Sequence, residues 1–141
     1  MKRFLDCETI IKNSNIPLKE NRSEIVFENP KRLEVCVIKV DGCAITDGIR
    51  CDYALTAESV KEEFHIELKG CDVKHAFDQL EATIKKISSN PQNTPKLCFI
   101  ISTRCPLSSI EIQGRQKKMK KKYNAKLIVK NTPHIYTIET A

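Results

Sequence analysis

The spacing of apolar residues changes at residue 70, and that change limits the topology more than any other feature of the chain. Before it, residues 64–69 (FHIELK) alternate strictly, with Phe64, Ile66 and Leu68 on one face of a strand and His65, Glu67 and Lys69 on the other. After it, Val73, Phe77, Leu80, Ile84 and Ile87 recur every three or four residues. That stripe predicts a helix over residues 72–87, with Asp72 at the N-cap. Ser88-Ser89-Asn90-Pro91 breaks the helix. Residues 96–102 (KLCFIIS) are then a short, continuous apolar run, as expected of a strand buried on both faces.

Two further strands are expected upstream, at residues 33–40 and 49–55, each next to an Asp-Gly turn signal. With residues 64–69 they form an antiparallel meander. Downstream, a helix over residues 110–123 lies between the 96–102 strand and strands at 126–130 and 135–138. Helices between strands imply parallel crossovers. The expectation is therefore an α/β fold with a mixed central sheet and helices on both sides. The first 29 residues read as two short helical pieces, with Pro17 at a helix start and Asn29-Pro30 as a stop. At 141 residues, the chain 1–141 suits a single domain.

The net charge of +6 is unevenly placed. Eight basic residues and no acidic ones fall between positions 115 and 130, leaving 16 basic against 18 acidic residues elsewhere. Such polarity suits a polyanionic partner, although a lysine run is equally the signature of a solvated helix face. The seven Cys residues are odd in number, include no CxxC pair and follow no export signal, so buried reduced thiols are expected rather than disulfides. Cys43 with Cys51, or both with Cys36 and Cys71 around a metal, is the minor alternative. No apolar run approaches the roughly 20 residues that span a bilayer. No membrane partner is expected, and the cytoplasm is the default compartment.

Chemistry enters through three residues. Glu67 and Lys69 share one face of a strand beside a strongly apolar helix, where charge is costly unless paired or bound to an ion. Asp52 lies in the preceding strand, and a hairpin would set it beside Glu67. Two converging carboxylates repel unless a cation lies between them, and hard divalent ions take such oxygen ligands. An amine one pleat away can orient a metal-bound water or steady charge on a phosphate.

With Asp52 ahead of Glu67-Leu68-Lys69 and a helix after them, residues 33–89 resemble the PD-(D/E)XK nuclease superfamily, which includes restriction endonucleases, Holliday-junction resolvases and exonucleases of the lambda type. Cys51 stands where the motif usually has Pro. The resemblance implies a restriction-endonuclease-like α/β/α sandwich and Mg²⁺- or Mn²⁺-dependent hydrolysis of phosphodiester bonds, normally in DNA. It implies that Asp52, Glu67 and the carbonyl of Leu68 hold the metal, that Lys69 positions the attacking water, and that Gln79 on the helix supports it. Many members carry a Glu on the first helix; Glu24 is the first choice here, with Glu20 or Glu28 as alternatives. Arg115, Lys117, Lys118, Lys120, Lys121 and Lys122 would contact phosphates, with Arg104 reaching the same groove. His75, one turn before Gln79, could touch a phosphate but is more simply a surface histidine. No base-reading module is visible, and the small size leaves room for a homodimer on duplex substrates. The alternatives are an inactive module of this fold that binds nucleic acid or a protein, or an inhibitory protein whose basic stretch binds an acidic one.

Overall fold

The structure, a computed structural model, describes residues 1–104 and 107–140. Its nine strands and two helices run in the order β1 (Glu8–Ile11), β2 (Asn15–Glu20), β3 (Ser23–Glu28), β4 (Val35–Lys39), β5 (Tyr53–Ala57), β6 (Glu63–Lys69), α1 (Lys74–Ile87), β7 (Lys96–Ser102), α2 (Ser109–Tyr123), β8 (Ala125–Asn131) and β9 (His134–Thr137), after a 3-10 turn at Leu5–Cys7. Six strands form a mixed central sheet in the order β1-β4-β5-β6-β7-β8. The expected meander is present: β4, β5 and β6 pair antiparallel. β6, β7 and β8 are parallel, joined through α1 and α2. β7 is buried at every position, as its continuous apolar run requires.

The layers differ from expectation. Both crossovers step the same way across the sheet, and right-handed crossovers taken in one direction put both helices on one face. The helices touch there: the Tyr123 hydroxyl on α2 donates to Glu81 Oε2 on α1 at 2.8 Å. The other face is covered by a three-stranded sheet, β2-β3-β9. Fully buried Phe27 on β3 packs on Phe64 and Phe99 of the central sheet, with ring centroids 5.7 and 5.5 Å away. The architecture is thus helices, mixed sheet and small sheet, rather than helices on both sides.

That small sheet is also where the N-terminal helices were expected. Ile16 and Leu18, and across from them Ile25 and Phe27, alternate with exposed or half-buried neighbours and point into the core. The hairpin closes through Asn21 and Arg22, at φ 50° and 66°, the left-handed pair that a two-residue turn needs. Pro17 sits on β2, whose outer edge needs no N–H donor. The helix after β6 begins two residues later than expected, with Val73 at its N-cap and Asp72 outside it.

Cys51 and Cys98 are buried and reduced, as expected; Cys36 is half-buried and Cys71 exposed. Cys7 and Cys43 depart from expectation by forming a disulfide, their Cα atoms 5.8 Å apart. Cys105 lies outside the described residues. Among the described residues no helix is long and apolar enough to cross a membrane.

Candidate active site

Asp52 immediately precedes β5 and extends its ladder by one residue. Its N–H donates to the Ile66 carbonyl at 3.1 Å, and its carbonyl accepts from Val40 N at 3.0 Å. Because β5 starts only at Tyr53, the backbone of β6 beyond Ile66 has no strand partner on that side. The Asp52 carboxylate fills the gap by accepting from Leu68 N at 2.8 Å. Glu67 and Lys69, even-spaced on β6 with His65, face the helix layer, opposite Phe64, Ile66 and Leu68 in the other core. The Lys69 ammonium meets Glu67 Oε2 at 3.1 Å. Asp52, Glu67 and Lys69 therefore converge at one end of the central sheet.

The electrostatics of this trio are unbalanced. Glu67 is 1% exposed, and its Oε1 has no hydrogen-bond partner. Burial and then the charge of Asp52 push the Glu67 carboxyl up to about 8, with Lys69 pulling only part of the way back. Burial also raises Asp52, against the opposing pull of the Leu68 N–H. A cation between the two side chains would take the place of the proton that Glu67 otherwise keeps against Asp52. Among the described residues no cluster of three or more His, Cys, Asp or Glu side chains forms a fuller cage. Two carboxylates, with water and substrate oxygens completing the shell, fit Mg²⁺ better than ions that demand an all-protein site.

Gln79 reaches the same place from α1. Its Nε2 donates to the Arg50 carbonyl at 3.0 Å, while its Oε1 is buried without a partner. Together with Lys69, His75, Arg50 and Asp41 it lines an open cleft of about 350 Å³. His75 is itself exposed, 3.8 Å from Asp72.

The three acids expected on a first helix lie on strands instead. Glu24 lies on β3 and pairs with Lys19 at 3.6 Å. Glu28 accepts from Thr137 Oγ1 at 2.7 Å. Glu20 is the N-terminal acid that approaches: it accepts from Tyr53 OH at 3.3 Å and Lys39 Nζ at 3.1 Å, and its charge reaches Asp52. The Leu68 carbonyl, expected to bind metal, accepts from Asn21 Nδ2 at 3.0 Å. That leaves it one lone pair. Asn21 and Arg50 were both missed, the first because its segment read as helix, the second because it lay at the start of the strand expected over residues 49–55, which begins only at Tyr53.

The basic block does not form one surface beside the cleft. α2 runs back along the sheet, so Asn124 at its end bonds Lys96 N at the start of β7, while Lys69 pairs with Ser102 at the end of β7. Seven strand residues span roughly 20 Å. Lys120, Lys121 and Lys122 in the last turn of α2 are thus at the far end from the trio. Lys117 is exposed mid-helix. Arg115 and Lys118 pack toward α1, the guanidinium 4.9 Å from the Phe77 ring centre and Lys118 Nζ 3.2 Å from Glu81. Arg104 is exposed beyond β7, at the same end as Lys69.

Compared with known proteins, the chain matches no family model, and neither a curated protein nor a solved structure is significantly similar to it.

Proposed function

We propose that this protein is a metal-dependent nuclease of the PD-(D/E)XK class, hydrolysing phosphodiester bonds, most simply in DNA. The observation that carries the reading is the convergence of Asp52, Glu67 and Lys69, with one Glu67 oxygen buried beside Asp52 and given no donor by the rest of the chain. The order of meander, helix and parallel strand around the trio supports it. The sheet that covers the face opposite the helices means that the proposal concerns this β-β-β-α-β core and not a helix-flanked sandwich.

Asp52 and Glu67 would hold Mg²⁺ or Mn²⁺, with the remaining lone pair of Leu68 O as a third donor. The ion would supply Lewis acidity and make a bound water nucleophilic near neutral pH. Released from Glu67, the Lys69 ammonium would turn to the substrate phosphate or the attacking water and offset the charge that builds there. Gln79, fixed through its Nε2 and lining the cleft beside Lys69, would orient that water once a small shift uncovers its buried Oε1. Asp52 keeps the metal-binding strand in place through Leu68 N while offering its other oxygen to the ion.

The test is cleavage of single- and double-stranded DNA and RNA with and without Mg²⁺ or Mn²⁺, wild type against Lys69→Ala. Divalent-dependent cleavage lost in the variant supports the reading. Equal cleavage by both proteins removes it. Binding without cleavage would favour an inactive module of the same fold.

A further inference from the structure

We propose that the groove between the first turn of α1 and the first half of α2 is a backbone-binding subsite for a nucleic-acid strand, next to the candidate active site. It is an open depression of about 470 Å³ lined by Lys74, Leu107, Glu111, Gly114, Arg115 and Lys118. Three cations against one acid set its charge. The identification of the polyanion as a nucleic acid rests on the nuclease reading; the groove itself does not.

Gly114 is the second, independent observation. A glycine inside a helix weakens it relative to alanine. Here no packing reason requires one: a Cβ at Gly114 would meet no atom within 4 Å, and the residue has no positive φ. The buried side chains of α2 are Met119 and Tyr123, both in its second half, so the half that borders the groove is not shaped by the core. A missing side chain beside open space and cations fits close approach by something outside the chain, such as a sugar–phosphate backbone.

The cations are preset for that role. The Arg115 guanidinium lies 4.9 Å from the Phe77 ring centre, a contact that orients its fork. Lys118 is held by Glu81 at 3.2 Å yet is nearly half exposed, which leaves N–H donors for a phosphate. Lys74 borders the groove while its neighbour His75 borders the catalytic cleft, so the two depressions flank the same turn of α1. Val73 at the N-cap offers no side-chain acceptor, and the positive end of the helix faces the path between them. The width of a helix, roughly 10 Å, corresponds to about three nucleotides along a strand. A strand cut at Glu67 and Lys69 would therefore lie in the groove a few nucleotides away, whereas Lys120, Lys121 and Lys122 would lie off its path.

Two measurements separate the groove from the chemistry. Binding of a short fluorescein-labelled DNA strand in EDTA reads the groove alone; Mn²⁺-dependent hydrolysis of bis(p-nitrophenyl) phosphate reads the cleft alone. Gly114→Leu should raise Tm, because it restores a helix former, and should weaken strand binding severalfold. Lys74→Ala and Arg115→Ala should each weaken binding and flatten the slope of log affinity against log salt by about 0.7. Lys120→Ala/Lys121→Ala should do much less. Unchanged strand binding in Gly114→Leu and Arg115→Ala overturns the subsite, even if the small diester is hydrolysed. Equal displacement of the strand by polyglutamate at matched charge also overturns it, in favour of an acidic protein partner. If the small diester is not hydrolysed while the groove variants lose strand binding, the subsite stands and the catalytic reading falls.

Discussion

The Asp52 carboxylate accepts the backbone N–H of Leu68 at 2.8 Å, so one acid of the candidate site holds the strand that carries the other. This dual role separates charge from shape. Asp52→Asn keeps an acceptor for Leu68 N and removes the repulsion on Glu67, so its stability in metal-free buffer should equal or exceed wild type. Asp52→Ala leaves a buried N–H unpaired and should cost about 1–3 kcal/mol. Both should lose Mg²⁺ binding and most cleavage. Urea unfolding beside Mg²⁺ titration calorimetry distinguishes the outcomes, and an Asp52→Asn variant that binds Mg²⁺ like wild type would sink the metal assignment.

Glu67 gives a pH signature. Its carboxyl titrates near 4.5 in the unfolded chain and is pushed up to about 8 in the fold. Between these values the folded state keeps a proton that the unfolded state has lost, so stability should fall as pH rises from about 4.5 to 8 and level off above. Glu67→Gln removes the titration, and should raise Tm at pH 8 with little effect at pH 5. Mg²⁺ competes with that proton, so it should stabilise wild type more at pH 8 than at pH 5. Parallel pH dependence of Tm in wild type and Glu67→Gln would show that Glu67 is not the group concerned.

How far the site could be read in advance depends on which features are local. The alternation at 64–69 placed Glu67 and Lys69 on one face, and the turn between β5 and β6 brought Asp52 beside them, because side-chain parity follows from spacing alone. The N-terminal hairpin carried the same period-two pattern in Ile16, Leu18, Ile25 and Phe27. Acidic residues and Pro17 masked it, and its two-residue turn uses Asn21-Arg22 instead of a glycine. The cover on the second face and the reach of α2 depend on crossover direction and element length, which no short motif encodes. For that reason the sequence could not show that Lys120, Lys121 and Lys122 lie at the end of the sheet opposite Lys69.

Asn21 ties the small sheet to the site. Its Nδ2 donates to Leu68 O at 3.0 Å, and its φ of 50° suits Gly as well as Asn. Asn21→Gly should therefore keep the turn and delete only the hydrogen bond, costing about 1 kcal/mol. It also returns a lone pair to the carbonyl expected to bind metal, so Mg²⁺ affinity should hold or rise despite the lost stability. Denaturation midpoints and Mg²⁺ titration of the same variant check both halves, and a large fall in affinity would mean that Asn21 positions the carbonyl instead of competing for it.

The Cys7–Cys43 disulfide joins the N-terminal turn to the loop that also carries Asp41, Gly48 and Arg50 of the cleft. It closes a separation of 36 residues, which in chain-entropy terms is worth about 4 kcal/mol. Exchange with the interior is blocked: burial pushes the Cys98 thiol up to about 12 and Cys51 further, so neither supplies a thiolate near neutral pH. Reduction with dithiothreitol should lower Tm by about 10 °C without disturbing the far half of the sheet, where Lys96 is held by the carbonyls of Asn90, Thr94 and Tyr123. Cys43→Ser should reproduce the reduced Tm and then show no response to dithiothreitol. Hydrogen exchange should place the loss of protection in the residues around Cys43, next to the cleft. If reduced and oxidised protein melt together, the bond adds no stability, and the cleft loop is held instead by the Arg50–Asp41 pair at 2.8 Å and the Lys86 contact to Asp47 O at 3.2 Å.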